Sequence, residues 1–158
     1  MLARRPYSVA ELRQALQRKF GSTDEVREAL VRLRALGYLD DRKFAEHYAA
    51  SLVQNRAWGR HRVRRELKAK RVDYRQIEPA LEQAYQENDE RELLARNLEK
   101  KLRTLRLPVT ARKLASLCQS LLRRGFRAGD IIKAVHARPE LKPVADDADL
   151  SELDTGER

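Results

Sequence analysis

Residues 37–72, GYLDDRKFAEHYAASLVQNRAWGRHRVRRELKAKRV, hold the sharpest helix boundary in the chain, its single tryptophan and its densest run of positive charge. Gly37 accepts the left-handed backbone of a C′ position without a Cβ clash, so one helix closes near Leu36; Asp40 caps the next, which begins near Asp41. Phe44, Tyr48 and Leu52 recur every fourth residue as one apolar stripe, and Val63 with Leu67 forms another after the break at Trp58-Gly59. The stretch therefore reads as two amphipathic helices joined by a short turn. On the second, Arg60, Arg64, Lys68 and Arg71 are spaced four, four and three apart, which puts four cations on one face opposite the apolar one.

These residues resemble the signature of the RecX family, small bacterial regulators of the RecA recombinase, in which G-Y-L-D-D-x-x-F-A leads to an R-x-G-Y-G turn and an R-x-E-L-x-x-K-G helix. Gly37, Tyr38, Leu39, Asp40, Asp41, Phe44 and Ala45 match the first segment, Gly59 the turn, and Glu66 with Leu67 the helix. Two places depart from the pattern. The turn reads Arg56-Ala57-Trp58-Gly59 in place of Gly-Tyr-Gly, and Arg71 stands where a glycine is common. Ser8 to Lys19 and Leu121 to Val135, including Gly125 and Phe126, also fit, so the resemblance covers residues 2–138. It implies mainly structural roles for the motif residues. It further implies a protein that lodges along the groove of the RecA filament on single-stranded DNA and restrains filament growth, ATP hydrolysis and strand exchange.

The 158 residues are 42% hydrophobic and 37% charged, rich in Leu, Ala, Arg and Glu, which is the profile of a soluble helical protein. No apolar run exceeds three residues, too short for a membrane span or a signal peptide, so a cytoplasmic protein without membrane attachment is expected. A single cysteine, Cys118, has no internal disulfide partner and reads as a small, buried or half-buried helix residue. Residues 140–158 carry seven acids and two bases, a net of −5, so the rest of the chain carries +15. A body so basic attracts polyanions through a long-range, salt-sensitive field. Its acidic tail, with only scattered apolar residues, is expected to be disordered and to compete for the basic face.

Capping patterns place the remaining helices. Met1 to Arg5 reads as the last turn of a truncated helix ended by Pro6, and Ser8 with Glu11 as a capping box for a helix with Leu12, Leu16 and Phe20 inward. Gly21 ends it; Ser22 with Glu25 opens another, with Val26, Leu30, Leu33 and Leu36 inward. Asp73 caps a helix carrying Ile77, Leu81, Ala84 and Tyr85, in which Pro79 predicts a kink or a late start. A basic helix follows from Asp89 to Leu107, and Thr110 caps one that Gly125 ends.

Superposing these segments exposes a repeat. Leu16, Leu67 and Leu121 are each preceded at −4 by Leu12, Val63 or Leu117. Each is followed at +10 by Val26, Ile77 or Ile131, at +13 by Ala29, Ala80 or Ala134, and at +14 by Leu30, Leu81 or Val135. The fold expected is all-α, an elongated tandem array of three-helix, helix-turn-helix-like units: 1–38 with its first helix truncated, 39–87, 88–138, and an acidic tail 139–158.

Catalysis finds no support. Asp40-Asp41 and Asp146-Asp147 are adjacent pairs, the first a helix cap, and His47, His61 and His136 are dispersed, so neither a metal nor another cofactor is expected. The candidate contact residues for RecA or DNA are Arg56, Trp58, Arg60, Arg64, Lys68, Arg71, Arg123 and Arg124. Trp58 either stacks on a base or pins two helices together. Beside the RecA-directed reading stand a DNA-binding regulator acting alone and a scaffold for another acidic protein; a monomer is expected in each case.

Overall fold

The caps read from the sequence at Ser8, Asp40, Asp73 and Thr110 are caps the chain uses. The computed structural model describes residues 7–21 and 23–144. In chain order they form α1 (Val9–Phe20), α2 (Asp24–Ala35), α3 (Asp41–Arg56), α4 (Arg60–Ala69), α5 (Tyr74–Gln86), α6 (Glu90–Leu102), α7 (Ala111–Arg123), α8 (Ala128–His136) and a 3-10 turn, Pro139–Leu141. Among the described residues there is no β-strand; one isolated parallel bridge joins Thr110 to Val144. Ser8 and Glu11 make the reciprocal capping box of α1, and the side chains of Asp40, Asp73 and Thr110 accept amide hydrogen bonds at the starts of α3, α5 and α7.

Three helices end in the same way. After α2, α4 and α7 the C′ residues Gly37, Arg71 and Gly125 have φ of 75°, 56° and 94°, and the following amides of Tyr38, Val72 and Phe126 reach back to the carbonyls of Leu33, Leu67 and Leu121. Among the described residues two non-glycine residues take left-handed conformations, Ala57 (φ 49°) after α3 and Arg71 after α4. Both stand where the family pattern has glycine.

Burial follows the repeat where neighbours exist to receive it. Leu12, Val63 and Leu117, then Val26, Ile77 and Ile131, then Leu30, Leu81 and Val135 are all buried, and Leu67 and Leu121 are fully so. Leu16 is only half-buried. A continuous core runs through α3–α8 to Leu141, whereas α1 and α2 share a separate cluster of Val9, Leu12, Val26, Leu30 and Leu39. That small cluster is tied to the large one by polar bonds: the buried Ser8 hydroxyl donates to Lys70 O (2.7 Å), Val9 N donates to the Asp41 carboxylate (2.9 Å), and Lys70 Nζ pairs with Glu11 (2.7 Å).

Several expectations need correction. Thr23, not Ser22, caps α2, with its hydroxyl accepting from Val26 N; Ser22 lies outside the described residues, as do Met1–Pro6 and 145–158. Phe20 and Leu36, expected inward, are 58% and 68% exposed; among the described residues α1 and α2 pack chiefly on each other. The helix with Pro79 starts at Tyr74, so of the expected kink or late start the late start does not occur. The α6 helix stops at Leu102 rather than Leu107, where the Thr104 hydroxyl bonds the Lys101 carbonyl in the last turn. Tyr38, counted among the structural motif residues, is exposed, and only its amide serves the α2 cap.

Candidate polyanion-binding groove

The site begins with a contact between two glycines. A Cβ on Gly59 would lie 2.5 Å from both the carbonyl carbon and oxygen of Gly125; one on Gly125 would lie 2.3 Å from Arg62 N. Only glycine at both places lets the start of α4 sit directly on the turn between α7 and α8. Gly59 cannot cap α4 with a side chain, and the neighbouring chain segments do so instead. Gly59 N donates to Arg124 O (2.8 Å), His61 N to Gly125 O (3.1 Å) and Arg60 N to the Glu90 carboxylate (2.8 Å). The carbonyl end of α7 thus meets the amide end of α4, a favourable meeting of opposite partial charges.

Buried polar groups lock the same junction. Asn97 is 4% exposed; its amide donates to Ala57 O (2.9 Å) and Leu93 O (2.8 Å), and its carbonyl accepts from Arg124 Nη1 (2.7 Å). The Tyr85 hydroxyl donates to Trp58 O (2.6 Å), and burial, with the nearby Glu90, pushes that phenol well above its ordinary value, keeping it a donor.

The predicted contact residues do not form one free stripe. At about 100° per residue a row of every fourth residue drifts, so Arg60 and Arg64 lie about 20° and 60° from Leu67, beside the core rather than opposite it. Arg60 reaches the Glu90 carboxylate (3.9 Å) and stacks 5.1 Å from the Tyr85 ring centre. Arg64 makes a bidentate pair with Glu78 (2.7 and 2.8 Å), which raises the guanidinium pKa and lowers that of Glu78, in both cases mainly through their hydrogen bond. The charge of these two is therefore offset within the chain, by Glu78 and Glu90. Arg124 turns inward to Asn97 and to Arg56 O (3.4 Å), so it is a junction residue, not an outward contact. Trp58 is half-buried against the core with the Arg62 guanidinium 3.8 Å over its ring, which covers a face that a base would need. Arg56, Lys68, Arg71 and Arg123 are exposed.

What the fold brings together is a different set. His61, Arg64, Arg65 and Lys68 of α4 face Leu122, Phe126, Arg127 and Ala128 across a groove of about 450 Å³. Arg65, about 160° from Leu67, faces outward, as does His61 at about 120°. Arg56, Arg71 and Arg123 do not line this groove. Arg65, Arg127 and the junction residue Asn97 escaped the sequence reading. Arg65 was legible as the residue four after His61, but Arg127 becomes a neighbour only through the Gly59–Gly125 contact. Walls of guanidinium and ammonium over an apolar floor suit phosphate or carboxylate groups carried on a chain.

Three comparisons bear on identity. The description "RecX, second three-helix domain" matches residues 40–81. The protein named regulatory protein RecX of Trichlorobacter lovleyi is 33% identical over 135 residues, 84% of this chain and 86% of that one. Those so named in Haemophilus influenzae (strain PittEE) and Chlorobaculum tepidum are 35% identical over 131 residues and 36% over 126, covering 82% and 80% of this chain and 84% and 76% of theirs. Among solved structures, a crystal structure of regulatory protein RecX superposes with a TM-score of 0.72 at 22% identity, over 84% of this chain and 66% of that one. RecX from Lactobacillus salivarius superposes with a TM-score of 0.70 at 22% identity, over 86% and 88%. The structural likeness establishes the three-helix-repeat fold, and the sequence identity over most of both chains shows that this protein belongs to the RecX family of regulatory proteins.

Proposed function

We propose that the protein regulates the RecA recombinase without catalysis of its own, binding the RecA–DNA filament and restraining its growth, ATP hydrolysis and strand exchange in the cytoplasm. In this reading residues 1–38, 39–87 and 88–138 are repeat units, the last two of three helices each, and the groove between α4 and the α7–α8 turn is the contact surface. The observation that carries it is the set Arg65, Lys68 and Arg127, brought together across 60 residues of chain onto one exposed groove in a member of this family. Among the described residues none of the three has an ion-pair partner within 4.0 Å. Unpaired cations held in a groove gain most from a polyanionic partner that neutralises them.

The test is ATP hydrolysis by RecA on single-stranded DNA with this protein titrated in, beside binding to bare and to RecA-coated DNA at two salt concentrations. Arg65→Glu, Lys68→Glu and Arg127→Glu together should weaken inhibition about tenfold or more at low salt, with melting near that of the parent because all three side chains are exposed. A parent protein that leaves hydrolysis unchanged at every ratio would sink the reading. Equal affinity for bare and coated DNA would transfer it to a DNA-binding regulator acting alone.

A further inference from the structure

The groove has a candidate ligand in the same chain. Residues 145–158, ADDADLSELDTGER, carry six acids and one arginine, with Leu150 and Leu153 among the acids. An acidic peptide with two apolar side chains matches a groove whose walls are His61, Arg65, Lys68 and Arg127 and whose floor is Phe126 and Leu122, the latter 37% exposed. We propose that this tail occupies the groove in the free protein and is displaced by the polyanionic partner. The inference rests on the groove being the contact surface and adds its regulation.

Chain geometry allows the contact. Val144 is held at the start of α7, where its amide donates to Val109 O (2.9 Å) and it bridges Thr110, the N-cap of that helix. The groove lies at the other end of the same helix, at Leu122 and Phe126. The twelve residues from Thr110 to Leu122 advance about 18 Å along a helix axis. Six extended residues beyond Val144 span about 20 Å, so the chain is long enough to bring Leu150 to the groove and the acids that follow it to the cations. A second basic hollow, lined by Arg13, Arg27 and Arg34 of α1 and α2, is the poorer fit: with Arg27 paired to Asp24 it offers two cations, where the groove, with Arg64 paired to Glu78, offers Arg65, Lys68 and Arg127.

The contact must be weak to be displaceable, and exposed ion pairs are weak. Tethering compensates, because a short flexible tether supplies an effective concentration of about a millimolar, so the tail fills the groove for much of the time and lowers the apparent affinity for the partner roughly two- to tenfold at low salt.

The experiment uses the full chain in three forms: the parent; a neutral tail with Asp146→Asn, Asp147→Asn, Asp149→Asn, Glu152→Gln, Asp154→Asn and Glu157→Gln; and a tail with Leu150→Ser and Leu153→Ser. Amide NMR shifts of each form are recorded at low and high salt without any partner, and the affinity for a fluorescent single-stranded oligonucleotide is measured alongside. Shift differences between parent and neutral tail should cluster at His61, Arg65, Lys68, Leu122 and Arg127 and vanish at high salt, and the neutral tail should bind the oligonucleotide two- to tenfold tighter. The Leu→Ser form keeps the charge, so loss of the groove shifts in it distinguishes docking from a long-range field effect. Shifts clustering at Arg13, Arg27 and Arg34, or no localised shifts, would overturn the proposal. Because the NMR arm needs no partner, failure of the tail contact is distinguishable from failure of the groove to bind nucleic acid or RecA.

Discussion

Replacing Gly59 by alanine puts the central junction to the test, because two effects of opposite sign compete there. Gly59 has φ −78° and ψ 161°, a region open to any residue, so by backbone entropy alone Gly59→Ala would stabilise by about 0.4 to 1 kcal/mol. The added methyl, however, would sit 2.5 Å from the Gly125 carbonyl and 2.6 Å from Phe126 N, backbone atoms that no rotamer change can move. Restoring ordinary contact needs about 1 Å of separation between α4 and the α7–α8 turn, an overpacking cost of about 1 to 3 kcal/mol. That separation also stretches the bonds from Gly59 N to Arg124 O (2.8 Å) and His61 N to Gly125 O (3.1 Å), each contributing about 1 kcal/mol. The clash wins, for a net loss of about 2 to 4 kcal/mol, or roughly 5 to 15 °C in Tm for a chain of this size. Urea and thermal unfolding followed by circular dichroism measure it. Gly129→Ala, with nothing within 4 Å of the new methyl and a place in the first turn of α8, should by contrast be neutral or stabilising. A Gly59→Ala protein as stable as the parent would mean that the two turns do not touch as described.

The other outcomes follow from single features. Ala57→Gly and Arg71→Gly should each raise stability by about 0.5 to 1 kcal/mol, since both residues hold a Cβ at positive φ; a fall in Tm in either would refute the left-handed assignment. Asn97→Leu should cost about 2 to 3 kcal/mol, because Ala57 O and Arg124 Nη1 lose a buried partner, and chemical denaturation would expose a smaller loss as a relaxed junction. Glu78 has its pKa lowered by Arg64, so its contribution is complete above the ordinary value of 4.5 and is lost as pH falls through the depressed folded value. With its side chain 53% exposed the pair is worth at most about 0.5 to 1 kcal/mol, and Glu78→Gln should flatten stability by that amount between neutral pH and pH 3.

Features written within one turn of helix were legible in the sequence. The caps at Ser8, Asp40, Asp73 and Thr110 are side chains bonding amides two or three residues on, so local pattern suffices. The buried rows at −4, +10 and +14 of the repeat survive because helical periodicity sets which residues share a face. Phe20, Leu36 and Leu16 obey the same periodicity and yet are exposed or half-buried, since a face turned inward by pattern is buried only if another helix arrives to cover it. At the two departures from the family pattern, Ala57 and Arg71, the backbone is left-handed, the conformation that glycine would take without strain.

The site was less legible because its partners are remote in the chain. Glu78 and Glu90 lie 14 and 30 residues from the arginines they engage, Asn97 lies 27 from Arg124, and Gly59 lies 66 from Gly125, distances at which i+3 and i+4 reasoning is silent. Counting cations on α4 therefore placed Arg60 and Arg64 on a face opposite the core, where they do not lie. The glycine contact that was missed also helps make the groove, since it seats α4 on the turn that carries Arg127 beside Arg65 and Lys68. Stability and binding are consequently coupled in one direction only. Gly59→Ala should impair both, whereas charge reversal at Arg65, Lys68 and Arg127 should impair binding in a protein that melts like its parent, because no buried group or interhelical bond is touched. A charge-reversed protein that unfolded early would place these cations inside the junction instead of on the surface it builds.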